Sequence, residues 1–381
     1  MDSRSVIDQL AVVAKEFASE TKTRQARRAL DPADFTKLAD AGFLLTGVPE
    51  TDGGLWRGTA SSARDYATMV RTIAHGDPCV ALVAAMHPAV MVYFLGCEEV
   101  SDFNEAWLAQ RQSLIKLARQ NWWGTVTSEP GSGGDMLKTK TLAVSGADDP
   151  CGYTISGNKH FGSGSGHAKY MITTAKCEGK PGPDLFFLNL KDEPWDGSTG
   201  CTLASEWDGI GMTATQSHAF KFEKFPATKT VTGELLKRVA PVTAIMGNLL
   251  FTAVAMGIAD NALAFAEGRL KAKAKDMRSY ERIEWTRCQN EIWLARQAFE
   301  GAICAAESAS DDAGRSAIRC KITVSELLEA ALTRMSIVVG GASFAKGMPL
   351  AQWNQDIRAL GFLRPPMPFA HDILFEMDNA D

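Results

Sequence analysis

The spacing of apolar positions changes twice along the chain, and those changes divide it into three parts. Val6, Leu10, Val13 and Phe17 recur at helical spacing with Asp8, Lys15 and Glu16 between them, which predicts an amphipathic helix at the N-terminus. Asp31-Pro32 reads as an N-cap followed by proline in the first turn, leading into Phe35, Leu38 and Ala39, with Gly42 as the stop. Residues 43–48, followed by Pro49 and Gly53-Gly54, read as a connector. Helices over 59–73 and 79–95 complete a helical domain, 1–120. The second of these is apolar nearly all round and is predicted to be buried. Pro88 inside it is expected to kink or break it.

From Asn121 the period shortens. Segments 137–145, 153–161, 169–175, 184–190 and 217–223 are short, alternating or apolar, and bounded by turn residues. They predict a compact antiparallel β domain over 121–232, with strands ending near Pro226 and the pairing order left open. Residues 234–271 then read as one long apolar helix punctuated by Gly247 and Gly257, followed by helices over about 280–309 and 315–339. Long helices with short connections imply a bundle over 233–381. Its first helix is too apolar to face water on any side, which points to cover by a second subunit and hence to an oligomer. The fold class is α+β.

Two clusters of glycine and hydroxyl residues stand out within the β domain. One is Thr-Val-Thr-Ser-Glu-Pro-Gly-Ser-Gly-Gly-Asp over 125–135, and the other closes the segment Ser-Gly-Asn-Lys-His-Phe-Gly-Ser over 156–163. Such clusters let backbone N–H and hydroxyl groups approach a flat polar ligand, although hairpin turns use the same residues. The net charge of -5 argues against non-specific nucleic-acid binding. Eight scattered cysteines (79, 97, 151, 177, 201, 288, 304 and 320) with no CxxC pair and no clustered histidines suit reduced thiols better than disulfides or a metal site. The N-terminus lacks an apolar signal core, and charged residues interrupt the apolar stretches, so a cytoplasmic protein without a membrane partner is expected.

These features, in this order, resemble the acyl-CoA dehydrogenase superfamily of flavoenzymes. Residues 128–135 look like the family's Thr-Glu-Pro-x-Ala-Gly-Ser-Asp, and 156–163 are similar to Asn-Gly-x-Lys-x-Trp-Ile-Thr. Residues 211–220 resemble the segment that closes the β domain, and Gly340-Gly341 followed by Gln355-Asp356 matches the family's Gly-Gly and Arg-Asp. The resemblance implies a flavin lying along the stretch that opens at Thr125. Thr127 and Ser128 would meet its pyrimidine edge, Ser163 would lie near N5, Phe161 would pack on the ring, and Gly133 and Gly134 would pass close to a pyrophosphate. Lys275 falls where an arginine usually reaches the pyrophosphate, and Gln289, Gly340 and Gly341 match contacts made to the adenine half, partly by a neighbouring subunit. The resemblance implies FAD first and FMN second, in a homotetramer or homodimer.

Two departures bear on the reaction. The family's usual catalytic glutamate aligns with Arg364, and its alternative site on the first bundle helix aligns with Gly247. Neither supplies the carboxylate that takes an α-proton in acyl-CoA dehydrogenation. An oxygen-using branch of the superfamily, which includes dibenzothiophene monooxygenase, lacks that glutamate too. His87 falls where the branch has a histidine facing the flavin, and Lys159-His-Phe-Gly-Ser is similar to its Lys-His-Phe-x-Ser. The resemblance therefore implies an oxygenase that forms a flavin peroxide, with His87 or Ser163 as a neutral donor and Arg364 as either an anion-binding residue or a surface ion-pair partner. The substrate would be a small molecule or a cyclic or aromatic acyl-CoA thioester, with oxygen and a flavin reductase as partners. A dehydrogenase with a different base and a non-catalytic flavin-fold binding protein are the alternatives. A core histidine is the plainer reading of His87.

Overall fold

Local capping sets the N-terminal helices. Asp2 accepts from the Ser5 N–H at 2.8 Å to cap α1 (Ser3–Ser19), whose stripe Val6, Leu10, Ala14 and Phe17 is buried. After the short α2 (Thr21–Gln25), Asp31 caps α3 (Pro32–Asp40) with Pro32 in the first turn, as expected. Gly42, at φ 91°, turns the chain into a 3₁₀ turn over Phe43–Gly47. Then follow α4 (Thr59–Gly76), α5 (Pro78–Leu95) and α6 (Glu105–Ala118). The computed structural model describes residues 1–99, 104–146, 152–271 and 273–379. Cys151 and most of the turn between the two glycine clusters lie outside the described residues.

The expected break at Pro88 does not occur, for α5 runs unbroken through it. Proline removes one N–H, and with it one intrahelical bond. Packing on all sides of this buried helix holds the remaining turns in place.

The strands are β1 (Trp123–Thr125), β2 (Leu142–Ser145), β3 (Gly152–Gly162), β4 (Tyr170–Cys177), β5 (Pro183–Asn189), β6 (Cys201–Ser205) and β7 (His218–Val231). They pair in the order β1-β4-β2-β3-β7-β5, with β6 on β7, and a β4–β5 pairing closes the path into a ring. The sheet is mixed rather than antiparallel, because β1 and β2 both run parallel to β4. Phe186, Leu188, Phe220 and Phe222 fill its core with Val126, Ile155 and Met171. The strand expected to begin at 137 begins at Leu142. Thr139, Lys140 and Thr141 instead turn their donors toward a buried carboxylate, Glu129. Nor do the strands stop at Pro226. That residue lies opposite Thr154, between the β7 residues paired with β6, which end at Phe222, and those paired with β5, which begin at Thr228. Its missing N–H therefore interrupts no ladder on that side.

The remaining helices are α7 (Gly233–Lys271), α8 (Ser279–Glu307), α9 (Ala313–Val339), α10 (Pro349–Leu360) and α11 (Met367–Asp378). By length and composition, segments comprising Pro78–Glu99 and α7 could each cross a bilayer, but 83% and 72% of their most apolar windows are buried inside the protein. Helix α7 is covered within its own chain by α4, α5, α9 and α10. Its composition therefore does not call for a second subunit, contrary to the expectation from sequence. Exposed apolar side chains lie instead on α8, at Tyr280, Ile283, Trp293 and Leu294.

Two buried acids tie the layers together. Glu129, 5% exposed, meets Lys159 Nζ at 2.6 Å and accepts from Thr139 Oγ1, the Lys140 N–H at 2.6 Å and Thr141 Oγ1 at 2.7 Å. Lys159 also donates to Thr139 Oγ1 at 2.9 Å and to the Thr174 carbonyl at 2.7 Å. Burial alone would raise the Glu129 pKa, but Lys159 and the hydroxyls outweigh it and hold it at about 2. Burial brings Lys159 down to about 8, so both are charged at neutral pH. Asp356 on α10 accepts from the Met212 N–H at 2.7 Å and from Gln352 Nε2 at 2.8 Å, fixing the loop before β7. With no cation beside it among the described residues, burial lifts its pKa to about 7.

Replacing Lys159 with Met strands Glu129 in the interior and should cost about 3–5 kcal/mol in chemical denaturation. The double variant with Glu129→Gln should cost less than the two single changes together. For Asp356 the folded pKa of about 7 lies above the ordinary 3.8. The folded chain thus keeps a proton that the unfolded chain releases, and this contribution falls as pH rises from about 4 to about 7, then levels off. Asp356→Asn should raise Tm relative to the parent at pH 8, with the gain shrinking toward pH 4.

Candidate active site

The two glycine clusters meet because the Glu129–Lys159 pair joins their bases, and the His160 N–H donates to the Ser128 carbonyl at 3.0 Å. In the first cluster Val126 enters the ring core, and Thr127 is buried with its Oγ1 unpartnered. Gly133 and Gly134 have φ of 62° and 84°. A Cβ on Gly133 would meet nothing within 4 Å, so the backbone there is open to a ligand. On Gly134 a Cβ would lie 2.5 Å from the Pro366 ring. Pro366 fills the space a serine would need, which accounts for glycine at that position.

In the second cluster Phe161 adopts φ 57° and holds its ring 55% exposed. His160 stacks on it at 4.4 Å and Trp207 stands edge-on at 6.0 Å. Ser163 Oγ lies 2.9 Å from Ser217 Oγ, which lies 2.8 Å from Thr215 Oγ1, and that hydroxyl donates to the Met212 carbonyl at 2.9 Å. Val83 of α5 packs against Gly164, where a Cβ would come within 2.6 Å of it. The N-terminal helices thus dock beside this loop.

His87 lies one turn along α5 from Val83, fully buried, with its ring 5.7 Å from that of Trp122. Its Nε2 is 3.1 Å from the Leu44 carbonyl. A carbonyl only accepts, so the proton sits on Nε2 and the unpartnered, buried Nδ1 is an acceptor. Burial pulls the pKa down to about 4, so the ring is neutral. This arrangement corrects the expected donor role, because the single N–H is already committed. The plain reading as a core histidine describes its Nε2 and leaves Nδ1 unexplained.

Arg364 reaches the first cluster, where its Nη2 donates to Thr125 Oγ1 at 3.2 Å. Burial lowers its pKa, yet a guanidinium stays protonated in proteins. Sequence reasoning missed the residue that sets this loop. Lys321 on α9 is 2% exposed and donates to the Leu363 carbonyl at 2.6 Å and to the Pro365 carbonyl. Burial brings its pKa to about 7. The available signal was a lysine in the apolar phase of a helix, between Ile318 and Ile322. Gly247, the other position aligned with a catalytic glutamate, faces open space. Lys275, Gln289 and Gly341 are exposed and Gly340 is half-buried. Among the described residues no hydrogen bond or ion pair joins these four to the clusters.

A flavin suits these groups. The unpartnered Thr127 hydroxyl, the bare face of Phe161 and the open backbone at Gly133 offer a polar edge, a flat apolar surface and N–H donors respectively. Thr125, Thr127, Ser128, Phe161 and Ser163 are the residues that would hold it.

Comparison with known proteins agrees. Residues 124–225 match the acyl-CoA dehydrogenase middle-domain family. The chain is 25% identical to L-evernosamine nitrososynthase from a Micromonospora species, over 95% of this chain and 86% of that one. It is 27% identical to a probable FMNH2-dependent monooxygenase, SfnC, from Pseudomonas putida, over 68% and 59%. Among solved structures, a nitrososynthase from Micromonospora carbonacea var. africana superposes with TM-score 0.81 at 21% identity, covering 100% of this chain and 97% of that one. Butyryl-CoA dehydrogenase from Megasphaera elsdenii gives 0.82 at 19% identity, over 98% and 97%. The fold alone therefore does not separate dehydrogenase from oxygenase. Residues 124–225 thus form an acyl-CoA dehydrogenase middle domain, the whole chain shares the fold of butyryl-CoA dehydrogenase and a nitrososynthase, and the curated relatives it matches are named as a nitrososynthase and an FMNH2-dependent monooxygenase.

Proposed function

We propose that this protein is an oxygenase that takes up reduced flavin, FMN in preference to FAD, and transfers one oxygen atom from O2 to a small organic molecule. The observation that carries this reading is the lack of a base at both dehydrogenase positions. Gly247 has no side chain and open space before it, and Arg364 brings a guanidinium to Thr125. A protonated guanidinium cannot remove an α-proton. When bound, the reduced flavin supplies the two electrons that let O2 deliver one oxygen to the substrate and the other to water.

The chain's own groups would do the rest. Thr127 and Ser128 would hold the flavin's polar edge, and Phe161 would cover the ring. Ser163, steadied by Ser217 and Thr215, would offer its hydroxyl at the reactive edge. Preorganised dipoles of this kind favour the charge that develops during reaction without having to reorient. The buried His87 Nδ1 would accept a proton or a hydrogen bond rather than donate one.

The preference for FMN follows the name of the FMNH2-dependent relative. The acyl-CoA substrate expected from the superfamily draws support from the fold alone, while a relative named as a nitrososynthase favours an oxidisable nitrogen. A separate reductase would supply the electrons. A homotetramer or homodimer would cover the exposed apolar side chains of α8. The unpaired state of the seven described cysteines suits the cytoplasm.

One anaerobic experiment separates the two reactions. Protein loaded with oxidised flavin should show no bleaching when an acyl-CoA is added. Reduced flavin mixed with air and a nitrogen-bearing substrate should place label from ¹⁸O₂ in the product. Bleaching by acyl-CoA alone, with electrons passed to an electron-transfer flavoprotein, would establish the dehydrogenase instead.

A further inference from the structure

We propose that Arg364 anchors an anion subsite, which takes a terminal oxyanion such as a carboxylate, sulfinate or phosphate from a ligand bound beside Thr125. The site stands on the geometry alone, and only the identity of its ligand rests on the oxygenase reading.

The first observation is the missing partner. The two buried arginines among the described residues each carry an acid: Arg24 meets Asp34 at 2.8 Å and Asp77 at 3.0 Å, and Arg111 meets Glu98 at 2.9 Å, whereas Arg364 is half-buried. Arg364 has no carboxylate within ion-pair distance among the described residues, and its one hydrogen bond there goes to the Thr125 hydroxyl. A guanidinium has five N–H donors in a rigid fork, matched to two oxygens of an oxyanion. Taking such a charge partly out of water without an acid carries a desolvation cost. An arriving anion offsets it.

The second observation is how firmly the loop is held. Lys321, itself buried, draws in the carbonyls on either side of Arg364, those of Leu363 and Pro365. Pro366 packs against Gly134, whose lack of a Cβ makes room for it. The loop is thus pinned from the bundle on one side and meets the β domain on the other. A surface ion pair would need neither device, since exposed pairs form with mobile side chains. A guanidinium fixed before the ligand arrives loses less freedom on binding.

The third observation is local charge. The Arg364 charge helps lower the Lys159 pKa, and Lys159 is ion-paired with Glu129. Tyr93, on the α5 side, directs its hydroxyl to Met136 Sδ at 3.7 Å. The acid among these groups, Glu129, is already taken by Lys159, Thr139, Lys140 and Thr141.

The chemistry fits two sources: an acidic group on the substrate, or the phosphate of FMN. Calorimetric titration of flavin-free protein with acetate and with inorganic phosphate tests the site. We expect saturable binding that weakens about ten- to hundredfold in Arg364→Gln, the loss of a charge-assisted pair. Arg364→Lys, which keeps charge but not the fork, should fall between. Lys321→Met leaves Arg364 in place and should weaken anion binding several-fold by freeing the loop, which keeps the proposal testable should Arg364→Gln fail to fold. Repeating the titration with FMN or riboflavin bound assigns the source. If FMN alone blocks the anion, and Arg364→Gln erases its advantage over riboflavin, the subsite takes the flavin phosphate. If the anion binds with either flavin present, the subsite belongs to the substrate. Anion binding that is absent, or indifferent to all three substitutions, overturns the proposal. Failure to take up any flavin while Arg364-dependent anion binding persists would instead overturn the oxygenase reading and leave the subsite standing.

Discussion

A carboxylate and an ammonium removed from water together hold the site in shape. Glu129 follows the first glycine cluster's hydroxyl pair, and Lys159 lies just before the aromatic end of the second. Their contact at 2.6 Å, with hydroxyls from Thr139 and Thr141 and the carbonyl of Thr174 around it, fixes where Ser128 and Ser163 stand relative to each other. Isolated, either charge would be costly in this interior. Paired and fully hydrogen-bonded, they leave few alternative arrangements for the two loops. The pair even decides secondary structure, because it takes the donors that residues 139–141 would have given to a longer β2.

The other parts of the site hang on that frame from three directions. Helix α5 docks through Val83 on Gly164 and carries His87 behind it. The loop before β7, held by Asp356, supplies the Met212 carbonyl that ends the hydroxyl chain from Ser163. The loop after α10, held by Lys321, brings Arg364 to Thr125. One tether is an apolar contact and two are buried polar groups, and each comes from a different element. Here those tethers deliver a cation where the dehydrogenase pattern has an acid.

Much of this was legible along the chain. The N-cap at Asp31, the long apolar helices and the two glycine clusters follow from local rules of capping, periodicity and backbone freedom, and the structure shows each of them. Helices α10 and α11 and strands β1 and β6, all short, were missed, although Leu350, Trp353, Ile357 and Leu360 of α10 recur at helical spacing. The mixed, closed sheet was missed because strand direction is set by connections and partners far apart in sequence.

By itself, then, the sequence determined the α+β layout and the two glycine and hydroxyl clusters, since each depends on residue identity and near-neighbour spacing, while the flavin and the missing base at Gly247 and Arg364 are what the resemblance of those residues to a family implies. Tertiary structure alone decided which donors remain free. The proton of His87 is placed by a carbonyl at Leu44, the bearing of Arg364 by Lys321, and the cover of α7 by four helices of its own chain. Hydrogen-bond direction, desolvation and burial arise between residues tens to hundreds of positions apart. They have no signature in local pattern until the chain has folded.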